Sequence, residues 1–144
     1  MGPKVPSFKF RRCRVAQDID LVSVLGAAEE GSAERLTLYI PSRDRFGEEF
    51  DPGPWVDRAL RLLSSIGGGA TAMPPADGAW LDPERSELVI EKVVLVYTFI
   101  DPDRLETKLP DLRRFLHQLG RETGQGEVVC EFQGVLFKIR DYDV

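Results

Sequence analysis

Histidine occurs once in the 144 residues and cysteine twice, and the longest uninterrupted apolar run is the five residues Val93 to Tyr97. Each scarcity excludes something. Cys13 and Cys130 lack a C-x-x-C partner or a neighbouring histidine, so neither a zinc site nor a disulfide framework is expected, and both thiols are expected to be reduced. No segment approaches the roughly 18 apolar residues of a membrane-spanning helix. Met1 to Arg14 has no apolar core of a secretory signal, which predicts a cytoplasmic protein without membrane attachment. The glycines do not form a phosphate loop. Gly67-Gly68-Gly69 closes a helical pattern instead of opening one and is followed by Ala70-Thr71, and Gly124-Gln125-Gly126 leads into a strand. No serine sits in a nucleophile elbow, and no metal or cofactor is expected.

What is present is one ordinary domain's worth of chain, 42% hydrophobic and 30% charged, with 19 Lys and Arg against 24 Asp and Glu. The net charge of −5 disfavours a dedicated nucleic-acid binder. The charge is uneven, because Lys4, Lys9, Arg11, Arg12 and Arg14 share the first 14 residues with no acid. Residues 1–34 read as an N-terminal extension, with a strand in Ser7 to Val15 and a short helix in Ile19 to Ala28, and residues 35–144 as the domain.

The domain has a regular grammar. Arg35 to Ile40 alternates with Leu36, Leu38 and Ile40 on one face and stops at Pro41, as a half-buried strand does. Pro54 suits the first turn of a helix, and Val56, Ala59, Leu60, Leu63 and Ile66 recur at helical spacing up to the glycine triplet. Two extended pieces, Ala70 to Met73 and Gly78 to Leu81, precede a turn at Asp82-Pro83. Leu88 to Ile100 is the strongest strand pattern, apolar on both faces after its first positions. Asp101-Pro102 ends it and could cap a brief helical turn, and Pro110 restarts a helix with Leu112, Phe115, Leu116 and Leu119 inward. Glu127 to Phe132 and Val135 to Arg140 form a hairpin about Gln133-Gly134. The order β-α-β-β-α-β with an added C-terminal edge strand is the ferredoxin-like α+β plan, both helices lying on one face of an antiparallel sheet. The second apolar face of Leu88 to Ile100 then needs cover, from the N-terminal arm or, the favoured reading, from a second copy in a homodimer.

Few residues suggest chemistry. Arg43 and Arg45 follow the first strand and could clamp an anion, with local ion pairing as the plainer reading. His117 falls on a helical stripe with Arg113 and Arg121, an exposed basic surface for an acidic partner or a phosphate backbone, or simply a solvated face. Glu91 lies in phase with Val93, Leu95 and Tyr97, where partial burial would raise its pKa or an arginine would pair with it. Trp80 is a core anchor or an aromatic lid. The segments Pro54-Trp55, Gly69-Ala70-Thr71, Asp77-Gly78-Ala79-Trp80 and Glu91 resemble a family of small prokaryotic proteins of unknown function with an early helical Trp, a Gly-x-Thr, a Gly-x-Trp and a Glu-headed strand. The resemblance implies a compact α+β fold and brings no known activity.

With no catalytic constellation in view, the sequence favours a small binding or regulatory module, acting through homodimerisation or protein docking, over an enzyme. The rival is a small dimeric ferredoxin-like enzyme, oxygenase- or isomerase-like, with Glu91, Tyr97 and His117 as first catalytic candidates and Arg43 and Trp80 beside them. A packed Glu91 paired to an arginine favours the module, and an open pocket at Glu91 and Tyr97 favours the enzyme. A third reading is nucleic-acid binding through Arg113, His117 and Arg121.

Overall fold

The computed structural model describes residues 19–144, so the strand expected in Ser7 to Val15, and Cys13, lie outside the described residues. The chain divides into two units, Met1–Gly31 and Ser32–Val144. In the first, helix α1 (Leu21–Leu25) is capped by the Asp20 carboxylate, which accepts from the Ser23 N–H at 3.2 Å, and ends at Gly26 with φ 63°.

The second unit contains β1 (Arg35–Pro41), α2 (Gly53–Gly67), β2 (Thr71–Ala72), β3 (Ala76–Asp82), β4 (Glu87–Phe99), α3 (Pro102–Glu122), β5 (Val128–Phe132) and β6 (Val135–Ile139). The six strands make one sheet in the order β2-β4-β1-β5-β6, with β3 also on β4, and every pairing is antiparallel. This is the ferredoxin-like order with β6 added at one edge. The two extended pieces expected before the long strand share one edge of it. β3 pairs Ala76↔Val93 through Asp82↔Glu87, while β2 pairs Thr71↔Tyr97 and Ala72↔Val96. On its other edge β4 pairs β1 only from Val93 to Phe99, so residues 87–92 run beyond β1 as a hairpin arm with β3.

Alternation sorts the faces. Leu36, Leu38 and Ile40 of β1, Val94, Val96 and Thr98 of β4, and Val128 and Cys130 of β5 are buried beneath the helices, against Ala59, Leu63 and Ile66 of α2 and Leu112, Phe115, Leu116 and Leu119 of α3. The intervening residues face away. Pro54 starts α2 as expected. The glycine triplet does more than stop it. A Cβ at Gly67 would overlap the Thr98 hydroxyl and the Phe99 carbonyl oxygen, so only glycine lets the helix end lie against β4, and Gly68 then caps it with φ 87°.

Helix α3 departs from expectation. It is continuous from Pro102 to Glu122, with Pro110 inside it and the Asp101 carboxylate accepting from the Asp103 N–H at 3.1 Å. Pro110 has no N–H for the Glu106 carbonyl, but both residues are exposed, so the freed acceptor faces solvent and the helix continues. The final hairpin turns at Gln133 (φ 51°) and Gly134 (φ 79°), the paired left-handed conformation of a tight two-residue turn. Among the described residues no helix is long and apolar enough to cross a membrane.

Gly67→Ala should lower the unfolding free energy by about 1–3 kcal/mol, because the methyl group has backbone and a buried side chain in its place. Urea denaturation read by circular dichroism measures this, and an unchanged midpoint would contradict the close approach.

Candidate functional site

The open sheet face gathers residues from three strands. β4 contributes Glu91, Val93, Leu95, Tyr97 and Phe99. By register β1 sets Arg35 opposite Phe99, Thr37 opposite Tyr97 and Tyr39 opposite Leu95, and β5 sets Glu131 opposite Thr37. The Tyr39 hydroxyl donates to Glu131 Oε2 at 3.0 Å, joining residues 92 positions apart. Burial, reinforced by this carboxylate, raises the Tyr39 pKa. The Arg35 guanidinium lies 5.2 Å from the centre of the Tyr97 ring, and Tyr97 meets Phe99 edge to face at 6.4 Å.

Glu91 stands at one end of this face, half-buried. Gly78 is its partner on β3, and a Cβ there would press on Val93, so the strand beside the carboxylate carries no side chain. Burial raises the Glu91 pKa, while the charge and the backbone of Arg43 pull it back down. Arg43 is where it is because β1's line continues past Pro41. The Ser42 hydroxyl donates to the Lys92 carbonyl at 2.6 Å, and the next residue falls beside Glu91. The Arg43 guanidinium forms its salt bridge with Glu49, at 2.9 Å. The direct ion pair of Arg43 is therefore with Glu49, and no arginine is paired with Glu91 among the described residues. Trp80 is not a core anchor. It lies opposite Val89 on the hairpin arm, 46% exposed, and Leu81, Leu88 and Ile90 of the same arm are 58–71% exposed.

His117, Arg113, Arg121 and Arg45 lie away from this face. An exposed basic stripe is the expectation for His117, and the structure corrects it: the residue is 6% exposed. The chain after β6 folds back over α3. The Tyr142 ring occupies the space above Gly120, where any Cβ would collide with it. The Asp143 N–H donates to His117 Nδ1 at 2.7 Å, which leaves that nitrogen an acceptor and not a cation's donor. The Asp143 carboxylate takes Arg113 in a two-bond fork at 2.7 and 3.0 Å, and Arg121 donates to the Asp143 carbonyl. These bonds from Arg113, with the charge of Arg121 behind them, lower the Asp143 pKa. Arg113 and Arg121 are thus joined to the chain's own residues, and His117 anchors a tail; a catalytic base in company with Glu91 it is not. Arg45 also departs from an anion clamp with Arg43. Its guanidinium stacks 4.9 Å from the Phe46 ring centre, and its N–H donates to the Gly124 carbonyl at 3.0 Å.

Two clefts open on the helix side. One, of about 460 Å³, is walled by Arg113, Arg114, His117, Arg121 and Asp143; the other, of about 550 Å³, runs between α3 and β6 along Leu112, Leu116, Phe137 and Ile139. Neither includes Glu91 or Tyr97. Among the described residues no three His, Cys, Asp or Glu side chains are grouped to hold a metal ion. Cys130 is buried beneath the helices, and burial raises its pKa. The residues that sequence reasoning missed, Tyr39, Glu131, Glu49 and Gln125, are polar and come together only through strand register and a loop contact.

No protein-family model and no curated protein matches the chain. Solved structures do. A phage SAM lyase in complex with S-methyl-5'-thioadenosine superposes with a TM-score of 0.56 at 14% identity, covering 78% of this chain and 92% of that one. A phage SAM lyase in the apo state gives 0.54 at 17% identity, with the same coverage. At these identities the likeness is one of fold. It nonetheless corrects the preference for a binding or regulatory module over an enzyme, because the solved chains that share this architecture over nearly their whole length are an enzyme.

Glu91→Gln should stabilise the protein at neutral pH. A carboxyl whose folded-state pKa is raised favours the fold below its unfolded pKa and loses that advantage as pH rises through the folded one. The melting temperature of the variant should exceed that of the parent near pH 7 and converge with it near pH 4. A constant gap would show that Glu91 ionisation does not bear on stability.

Proposed function

We propose that this chain is an enzyme that cleaves a small sulfonium substrate of the S-adenosylmethionine type on the open face of its sheet. The observation that carries the reading is the grouping on that one face of the half-buried Glu91 and the Tyr39–Glu131 pair with the rings of Tyr97 and Phe99. Carboxylates and aromatic faces are the groups that attract a large, weakly hydrated cation. The fold shared with the SAM lyase supports it.

The chemistry such a site must serve is simple to state. Release of methylthioadenosine from S-adenosylmethionine breaks the bond between sulfur and the four-carbon amino-acid fragment, and the bonding pair goes to sulfur, which becomes a neutral thioether. The fragment either loses a proton from the neighbouring carbon to a carboxylate base, giving an alkene, or closes on its own carboxylate, giving a lactone. In the first case Glu91, with a raised pKa and partial burial, takes the proton. In the second the carboxylates hold and orient the ammonium end of the fragment, and positioning does most of the work. Rings that exchange water for π-faces favour the dispersed charge of the breaking bond.

An open sheet supplies one wall of a site. The reading therefore includes a second copy of the chain on this face, and light scattering that returns a single-chain mass at tens of micromolar would remove that part.

Purified protein mixed with S-adenosylmethionine should release methylthioadenosine above the protein-free background, measured by liquid chromatography with mass detection. Glu91→Gln should reduce the rate about 10²-fold or more, and Glu49→Gln much less. The mass of the second product, alkene or lactone, decides between the two routes. No release above background would overturn the proposal.

A further inference from the structure

We infer that Gln125 is a positioning residue for the Glu91 carboxylate, acting through the Arg43 peptide. The inference rests on the reading of Glu91 as the reactive carboxylate, but its test does not need turnover. Gln125 belongs to the turn after α3, and its side chain reaches across to the segment that prolongs β1. Its Nε2 donates to the Arg43 carbonyl at 2.8 Å and is itself held by Thr123 Oγ1 at 3.1 Å. A second bond, from the Arg45 N–H to the Gly124 carbonyl at 3.0 Å, ties the same two segments together one step further on.

The Arg43 peptide is therefore fixed from both sides. The Ser42 hydroxyl binds the Lys92 carbonyl at 2.6 Å on the sheet side, and Gln125 holds the Arg43 carbonyl on the other. Between these points the line of β1, which pairs Pro41 with Val93, carries Arg43 alongside Glu91, while its guanidinium is drawn to Glu49 at 2.9 Å. The turn is braced in its own right. The Tyr142 hydroxyl donates to the Gln125 carbonyl at 2.9 Å, and the Gln125 N–H donates to the Gly120 carbonyl at 2.9 Å. Bonds thus run from the folded-back tail to the segment beside the site: Tyr142 to Gln125 and Gln125 to Arg43, the residue that β1's register with β4 brings alongside Glu91.

The groups that face Glu91 are few. From the loop come Arg43 and, behind it, Glu49; from β3 comes Gly78, without a side chain; Asp77 and Lys92 pair with each other at 2.6 Å on the opposite face of the hairpin. Loosening Arg43 therefore removes what stabilises the carboxylate anion, whereas the burial supplied by β3 and β4 stays in place.

The test is the titration of Glu91 by NMR of protein labelled at the glutamate side-chain carboxyl carbons, with Glu91→Gln to assign the signal. In Gln125→Ala the midpoint should rise by about half a pH unit or more, as expected when a nearby cation is released. Tyr142→Phe should shift it the same way by less. Arg113→Ala frees Asp143 but leaves Gln125 bonded, so it should lower the melting temperature without moving the midpoint. A midpoint that is unmoved or lowered in Gln125→Ala, with a melting temperature reduced as in Arg113→Ala, would show a merely structural residue and overturn the inference. A raised midpoint in a protein that releases no methylthioadenosine would uphold the positioning role and defeat only the enzymatic reading.

Discussion

Strand β4 is longer than anything that covers it, and the molecule is arranged around that mismatch. Only from Val93 onward does β4 have β1 on one side, β2 or the end of β3 on the other, and helices above it. There Val94, Val96 and Thr98 are buried, each large apolar chain contributing on the order of 1.5–3 kcal/mol. The helices are fitted to this half. α2 ends where Gly67 meets Thr98 and Phe99, and α3 begins just after β4, at its Asp101 cap. The other half has only β3 as a partner, and its apolar side chains stay exposed on the hairpin arm. Glu91 sits at the boundary between the two halves, which is why it is half-buried: the sheet shelters one side of it and the arm leaves the other open.

The charged groups are distributed in two separate networks. On the helix side, Arg113, Arg121 and His117 are all bonded to Asp143, so this basic surface is largely satisfied by the chain itself. Exposed ion pairs of this kind contribute little to stability, and what they accomplish is to fix the tail. On the sheet side, the carboxylates of Glu91 and Glu131 lie among aromatic and aliphatic side chains, where desolvation outweighs pairing for Glu91. The first network explains why a polyanion-binding stripe is a poor description of α3. The second gives a cation a reason to bind. Gln125 links the two, because the turn that it belongs to is braced by Tyr142 and in turn braces Arg43.

What can be read in the sequence follows from the range of the interactions involved. Alternation and helical spacing are local, and they locate β1, α2, β4 and the β5–β6 hairpin and with them the ferredoxin-like order. The phase of Glu91 with Val93, Leu95 and Tyr97 likewise puts it on the right face. Pro110 misleads because proline is usually a helix start, and whether an exposed carbonyl can do without its donor depends on which side of the helix faces water. His117 misleads because a helical wheel knows only its own helix. The tail that buries it lies 26 residues away. Tyr39 and Glu131 meet only once β5 pairs with β1, and no spacing rule connects them. Trp80 reads as core because large aromatics usually are, but its strand lies on the arm, beyond the helices.

A fold shared at 14–17% identity does not carry residues across, so the enzymatic reading has to stand on the chemistry of this chain's own surface. That surface already contains one bound cation. Arg35, at the first position of β1, holds its guanidinium over the Tyr97 ring, which shows that the ring is placed to receive positive charge. On the proposed function, a sulfonium ligand on this face would meet the same ring in competition with Arg35, and the competition has a direction. The guanidinium is an exposed group that regains full hydration when displaced, whereas a sulfonium flanked by carbon has little hydration to lose. Binding over Tyr97 would therefore cost the protein only the Arg35–Tyr97 contact. Glu91 and Glu131, in contrast, keep their positions through strand register and, for Glu131, the Tyr39 hydrogen bond, so the acidic groups are fixed while the resident cation is the replaceable one.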